Sequence, residues 1–184
     1  MAVAGAPASG KSVLGAALRD ALCRDGLHAQ LVPMDGFHLD NCILDARDLR
    51  ARKGAPETFD VAGFIALIHR LRTEAEVVYP LFDRARDLSI AGAGVVAPAC
   101  DMVIIEGNYL LFDEVPWSDL PDLWDFSIWL DTPEETILQR CISRWLKHGH
   151  DPDAARRRAE GNDLANARRI ITARLPADLT LSAP

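Results

Sequence analysis

Residues Gly5-Ala6-Pro7-Ala8-Ser9-Gly10-Lys11-Ser12 constrain this 184-residue chain more than any other stretch. They satisfy G-x-x-x-x-G-K-[ST] at every fixed position. Gly5 and Gly10 allow backbone angles that a Cβ would oppose, so successive N–H groups can turn inward around an anion. Lys11 brings a point charge to the β- and γ-phosphates of a nucleotide, and the Ser12 hydroxyl can ligate Mg²⁺. Met1 to Ala4 is apolar enough for the end of a buried strand. After the loop, Val13, Leu14, Ala17, Leu18, Ala21 and Leu22 recur at helical spacing until Gly26. Strand, glycine-rich loop and helix follow one another in the order that aims a helix N-terminus at a phosphate. The strand starts at residue 1, so a few residues are expected to be missing ahead of it.

The rest of the chain reads as an α/β alternation within one domain spanning 1–184. Leu27 to Pro33 is a strand ending in Met34-Asp35-Gly36-Phe37-His38. Asp35 then stands at the edge where open parallel sheets bind ligands, either as a chemical group or as an ordinary turn aspartate before glycine. Leu39 to Asp60 is polar and irregular. Asp60 caps a helix from Val61 to about Arg72, whose inner side carries Phe64, Ile65, Leu67, Ile68 and Leu71. Val77 to Phe82 reads as a strand, and Leu88–Ala91 with Val95–Ala97 as a small hairpin around Gly92 and Gly94. Asp101 to Gly107 is a buried strand ending in Glu106, a carboxylate suited to Mg²⁺ or its water shell. Phe126 to Leu130 is another strand. Thr132 is the expected N-cap of the helix carrying Ile137, Leu138, Cys141, Ile142 and Trp145 inward. The run from His148 to Pro152 breaks that helix. A further helix opens at Arg156-Arg157-Arg158 and continues to about Leu175, before a last strand near Asp178 to Leu181.

Net charge is −7, which argues against a general nucleic-acid or membrane-surface role. Arginines nonetheless crowd between Arg140 and Arg169, which suggests recognition of a small anion or, alternatively, a solvated helix face. No apolar run is long enough to span a bilayer, and no secretion signal is visible, so a cytoplasmic protein is expected. Cys23, Cys42, Cys100 and Cys141 are scattered, as reduced thiols would be. Trp117, Leu120, Leu123 and Trp124 are expected to cover the core, the alternative being a dimer surface; monomer and homodimer both remain open.

Several motifs together resemble the uridine kinase, phosphoribulokinase and type I pantothenate kinase superfamily. They are the phosphate loop, Asp35-Gly36-Phe37, Arg52-Lys53-Gly54 with Pro56 to Asp60, and Ile105-Glu106-Gly107-Asn108. Arg52 to Asp60 is similar to pantothenate kinases. Pro80 to Arg84 and Glu160-Gly161-Asn162-Asp163 are similar to bacterial proteins described as fructose transport system kinases or nucleoside/nucleotide kinases.

The resemblance implies a three-layer P-loop fold with a five-stranded parallel sheet, the loop strand in its middle, a small accessory hairpin and a helical lid at about 140–169. It implies an ATP- and Mg²⁺-dependent kinase that phosphorylates a small-molecule hydroxyl. Asp35 and Lys11 would be catalytic. Gly5, Ala6, Pro7, Ala8, Ser9, Gly10, Lys11, Ser12 and Val13, with Arg140 and Arg144 of the lid, would bind the nucleotide. Asp35, Phe37, His38, Arg52, Lys53, Phe59, Arg84, Glu106 and Asn108 would surround the acceptor, and Ser12 and Glu106 the metal. Arg84 falls near the place of a substrate-binding histidine of pantothenate kinases, a departure that suggests a more anionic acceptor. Ala8 stands where relatives often have glycine. A pantothenate kinase-like enzyme and a regulatory P-loop NTPase are the alternatives.

Overall fold

A computed structural model describes residues 1–182. In chain order the elements are β1 (Ala2–Gly5), α1 (Lys11–Arg24), β2 (Ala29–Pro33), α2 (Asn41–Ala46), α3 (Val61–Thr73), β3 (Val77–Asp83), β4 (Leu88–Val96), β5 (Met102–Gly107), β6 (Ser127–Asp131), α4 (Glu134–Lys147), α5 (Pro152–Arg158), α6 (Ala165–Thr172) and β7 (Leu179–Ser182). Five strands form one parallel sheet in the order β2-β5-β1-β6-β7, and β1 lies in its centre as expected.

Strand alternation assigns the two faces. Ala2, Ala4, Val32, Ile105 and Trp129 join Phe64, Leu67 and Ile68 of α3 in the larger core. Leu31 and Glu106 lie on the other face, where Gly15 of α1 packs against both side chains. Helices therefore cover the sheet from both sides, which explains why its strands are largely apolar. Trp117 and Leu120 lie inside the larger core, and Leu123 and Trp124 pack against it. A smaller core joins Ala6 of the loop to Ile137 and Cys141 of α4 and to Ala159, Leu164 and Ala167. Burying these groups of large side chains stabilises by about 2 kcal/mol for each Leu, Ile or Phe.

The structure corrects four local expectations. The hairpin is not made within 88–97: β4 is one strand, and it pairs antiparallel with β3. Gly92 and Gly94, residues that mark turns more often than strands, lie inside β4. Thr132 does not cap α4. The cap position is Pro133 with no side-chain bond, while the Thr132 hydroxyl donates to the Ser9 carbonyl at 3.3 Å. The arginine-rich helix starts earlier, at Pro152, where the Asp151 carboxylate accepts from the Ala154 amide at 2.9 Å. It then passes through a π-helical turn, Ala159–Leu164, and ends at Thr172. Finally, the segment from Leu39 to Asp60 holds a short helix, α2, capped by Asp40. Among the described residues no helix is long and apolar enough to cross a membrane.

Candidate active site

The parallel register brings three strand ends to one edge. Val3 of β1 and Pro33 of β2 both stand opposite Glu106 of β5. Past that line the chain leaves β1 as the glycine-rich loop, β2 as a 3-10 turn (Met34–Phe37) and β5 as Gly107-Asn108. Lys11, Asp35 and Glu106 are thus drawn together by topology, although 24 and 71 residues separate them along the chain.

The loop has the shape of an anion cradle. Gly10 has φ 102°, which leads into α1, and α1 has no side-chain cap on its first-turn amides. Ala8 has φ 58°. That left-handed conformation costs an alanine about 1 kcal/mol, so glycine is the natural occupant here. A Cβ on Gly5 would crowd the Leu130 carbonyl oxygen at 3.1 Å. Arg140 braces the loop through its carbonyls, donating to Ser9 at 3.0 Å and Ala8 at 3.4 Å. Lys11 reaches only the Ala6 carbonyl, at 3.5 Å, and the buried Ser9 hydroxyl has no hydrogen-bond partner among the described residues. A weakly engaged ammonium and an unpartnered buried hydroxyl fit a phosphate chain. Burial lowers the Lys11 pKa, Glu106 and Asp35 work to raise it, and Arg144 and Arg84 oppose them. Val13 stands 75% exposed just past Ser12.

Ser12 Oγ donates to Glu106 Oε2 at 3.1 Å. Glu106 is buried, and burial raises its pKa against the pull of Lys11. Among the described residues no three His, Cys, Asp or Glu side chains cluster as a metal cage. A hydroxyl and one carboxylate are nonetheless the small oxygen donor set with which Mg²⁺ is held when phosphate oxygens and water complete its shell. Asn108, beyond the same strand, has a buried amide oxygen without a partner among the described residues.

Across the cleft, Arg84 forms an ion pair from its Nη2 to Asp35 Oδ2. Burial works against the Asp35 carboxylate, but Arg84 first, then His38, Lys11 and Arg144, outweigh it and hold the pKa below the ordinary value. Replacing Arg84 by methionine should therefore raise the Asp35 pKa, which a carboxyl ¹³C titration by NMR would read. An unchanged titration would show that the ion pair is not what keeps Asp35 ionised.

The other expected acceptor residues differ in availability. His38 Nδ1 donates to the Asp35 carbonyl at 2.7 Å, and its ring lies between Phe59 and Phe82. Phe37 and Phe59 are core residues. Lys53 is nearly enclosed and donates to Asn41 Oδ1 and to the Asp87 carbonyl at 2.8 Å, so it fastens the hairpin turn to α2. Arg52 is paired with Glu57 at 2.5 Å. Most arginines between 140 and 169 also have carboxylate partners: Arg144 with Asp163, Arg156 with Glu160, Arg168 with Glu134, and Arg169 with Glu57 and Glu114. They are mostly a network and not a bare anion-binding patch.

The sequence did not point to Tyr109 or to the pairing of Asp163 with Arg144. Tyr109 is buried, and its hydroxyl donates to the Gly54 carbonyl at 2.5 Å, which secures the loop before Pro56. Only its place two residues after Gly107 could have drawn attention to it.

A phosphate loop on the central strand, with Glu106 on the adjacent β5 and Asp35 just past the end of β2, defines the P-loop kinase class of fold. The chain belongs to the Phosphoribulokinase / Uridine kinase family, whose model matches residues 1–165. It is similar to a crystal structure from Silicibacter sp. TM1040, described as a candidate fructose transport system kinase. The TM-score is 0.95 at 59% identity, covering 98% of this chain and 87% of that one. It is 38% identical over 143 residues to the uncharacterised protein YggC of Escherichia coli, covering 77% of this chain and 59% of that protein. It is 33% identical over 156 residues to a pantothenate kinase of Myxococcus xanthus, covering 80% of this chain and 49% of that enzyme. The chain thus spans about half to three-fifths of these two curated relatives.

Proposed function

We propose that the protein is an ATP- and Mg²⁺-dependent kinase that transfers the γ-phosphoryl group to a hydroxyl of a sugar, nucleoside or related small metabolite. One observation carries this reading: the parallel register sets Asp35, paired with Arg84, at the same sheet edge as an anion cradle that ends in Lys11. Lys11 and the loop amides take up the negative charge of the β- and γ-phosphates. The acceptor oxygen forms its bond to the γ-phosphorus while its proton passes to the Asp35 carboxylate. The bond from that phosphorus to the bridging oxygen breaks, and ADP leaves. Ser12 and Glu106 would hold Mg²⁺, which when bound neutralises charge on the phosphate oxygens. Most of the rate enhancement comes from positioning and charge neutralisation. Four free cysteines fit a reducing cytoplasm.

Arg84 must release Asp35 before a hydroxyl can approach it. An acceptor bearing a phosphate or carboxylate offers the guanidinium a replacement partner, so an anionic acceptor is favoured. A pantothenate-like acid is the second reading, supported by Arg52 to Asp60. The test is ADP release, by coupled assay, over sugars, sugar phosphates, nucleosides and pantothenate. One acceptor class should raise release well above the rate with water, and Lys11→Met should abolish the increase. Slow hydrolysis with every acceptor would overturn the reading in favour of a regulatory NTPase.

A further inference from the structure

The stretch Glu160-Gly161-Asn162-Asp163 has no part in the mechanism above, yet two of its side chains reach in different directions from one π-helical turn. Such turns add a residue to the helical circuit and so re-aim side chains that an α-helix would place elsewhere. Asp163 is buried, with Oδ1 accepting from Arg144 Nη2 at 3.0 Å and Oδ2 from the Trp145 indole at 2.5 Å. Both carboxylate oxygens are thereby fixed, by two neighbouring residues of α4. Arg144 lies one helical turn beyond Arg140, which donates to the loop carbonyls of Ser9 and Ala8, and Ala6 of the loop shares the smaller core with Ile137, Cys141 and Leu164. Asn162, the preceding residue, donates from Nδ2 to the Lys53 carbonyl at 3.1 Å. Lys53 is itself fastened to Asn41 and to Asp87 of the hairpin turn, three residues beyond Arg84.

Resting on the kinase reading, we propose that Asp163 is a positioning residue for the phosphoryl transfer. It aims Arg144 at the transferring phosphate, and Asn162 ties the same turn to the acceptor side of the cleft. A guanidinium held only by solvent would spread over many rotamers and be pushed back by the positive charge of Lys11. The buried carboxylate removes both costs, since a charge-assisted hydrogen bond is strong when its partners are fixed. Successive helical residues point about 100° apart, so adjacent residues serve both walls: Asp163 faces α4 while Asn162 faces the loop at Lys53.

The test compares equilibrium binding of Mg·ADP with that of Mg·ADP plus aluminium fluoride, a mimic of the phosphoryl group in flight. Asp163→Asn keeps the shape and removes the charge. It should bind Mg·ADP as the wild type does and bind the aluminium fluoride complex about tenfold more weakly, the loss expected for one charged hydrogen bond. In an Arg144→Ala background the same substitution should change neither constant. Equal binding of the mimic by wild type and Asp163→Asn overturns the positioning role, as does an equal loss in both ligands or a further loss on top of Arg144→Ala, the marks of a purely structural carboxylate. If Asp163→Asn does not fold, Arg144→Ala carries the test: unchanged mimic binding there overturns the proposal equally. A wild type that binds no Mg·ADP overturns the kinase reading itself, a different and recognisable result.

Discussion

An Asp35→Asn protein should bind Mg·ATP with wild-type affinity and turn over its acceptor about 10²–10⁴ times more slowly, the usual contribution of a positioned general base. The substitution leaves the 3-10 turn and its carbonyl bond to His38 in place, because that bond uses the backbone. It removes the charge that Arg84 pairs with and the group proposed to take the proton. Steady-state turnover alongside equilibrium nucleotide binding separates the two. Retained turnover would exclude Asp35 as the base. Weakened nucleotide binding with unchanged turnover would give it a place on the nucleotide side of the cleft.

The second large effect concerns Gly36. A Cβ added there would collide with the carbonyl oxygen of Pro80 and lie 2.7 Å from its carbonyl carbon. Both are main-chain atoms of β3, so neither can turn aside as a flexible side chain would. Gly36→Ala should therefore force the Asp35 turn and the hairpin apart and destabilise the fold by about 3 kcal/mol, at the upper end for an overpacked site. Chemical denaturation would measure it. The loss should come with impaired turnover, because the contact seats Asp35 opposite the strand pair that carries Arg84. A stable Gly36→Ala protein would mean that the hairpin is free to retreat from the turn.

Much of this site was legible in the order of residues. The spaced glycines with Lys11 and Ser12, and the acids at the ends of two apolar strands, follow from strand and loop chemistry alone. A parallel sheet then leaves those ends no edge but the shared one. What could not be read were contacts fixed by long-range packing. Nothing near Lys53 announces that its ammonium is taken up by Asn41 and Asp87. The arginines after Arg140 look like one basic patch until Glu57, Glu114 and Glu134 are brought to them from elsewhere in the chain. Asp163 stood in a recognisable motif, but an α-helical reading of its segment gives no reason for it to meet Arg144. The small accessory hairpin is present as expected, but its turn lies between β3 and β4 and not at Gly92 and Gly94, which sit within a continuous strand.

The position of β7 has a bearing on how the molecule is made. Its four residues, 179–182, fill the outer place beside β6, which is assembled from residues some fifty positions earlier. A ribosome-bound chain can pair β2, β5, β1 and β6 as soon as residue 131 has emerged. It must then carry β6 with one side unpaired through the synthesis of α4, α5 and α6. Until β7 arrives, that side of β6 presents a row of unpaired N–H and C=O groups, a seam open to pairing with another chain.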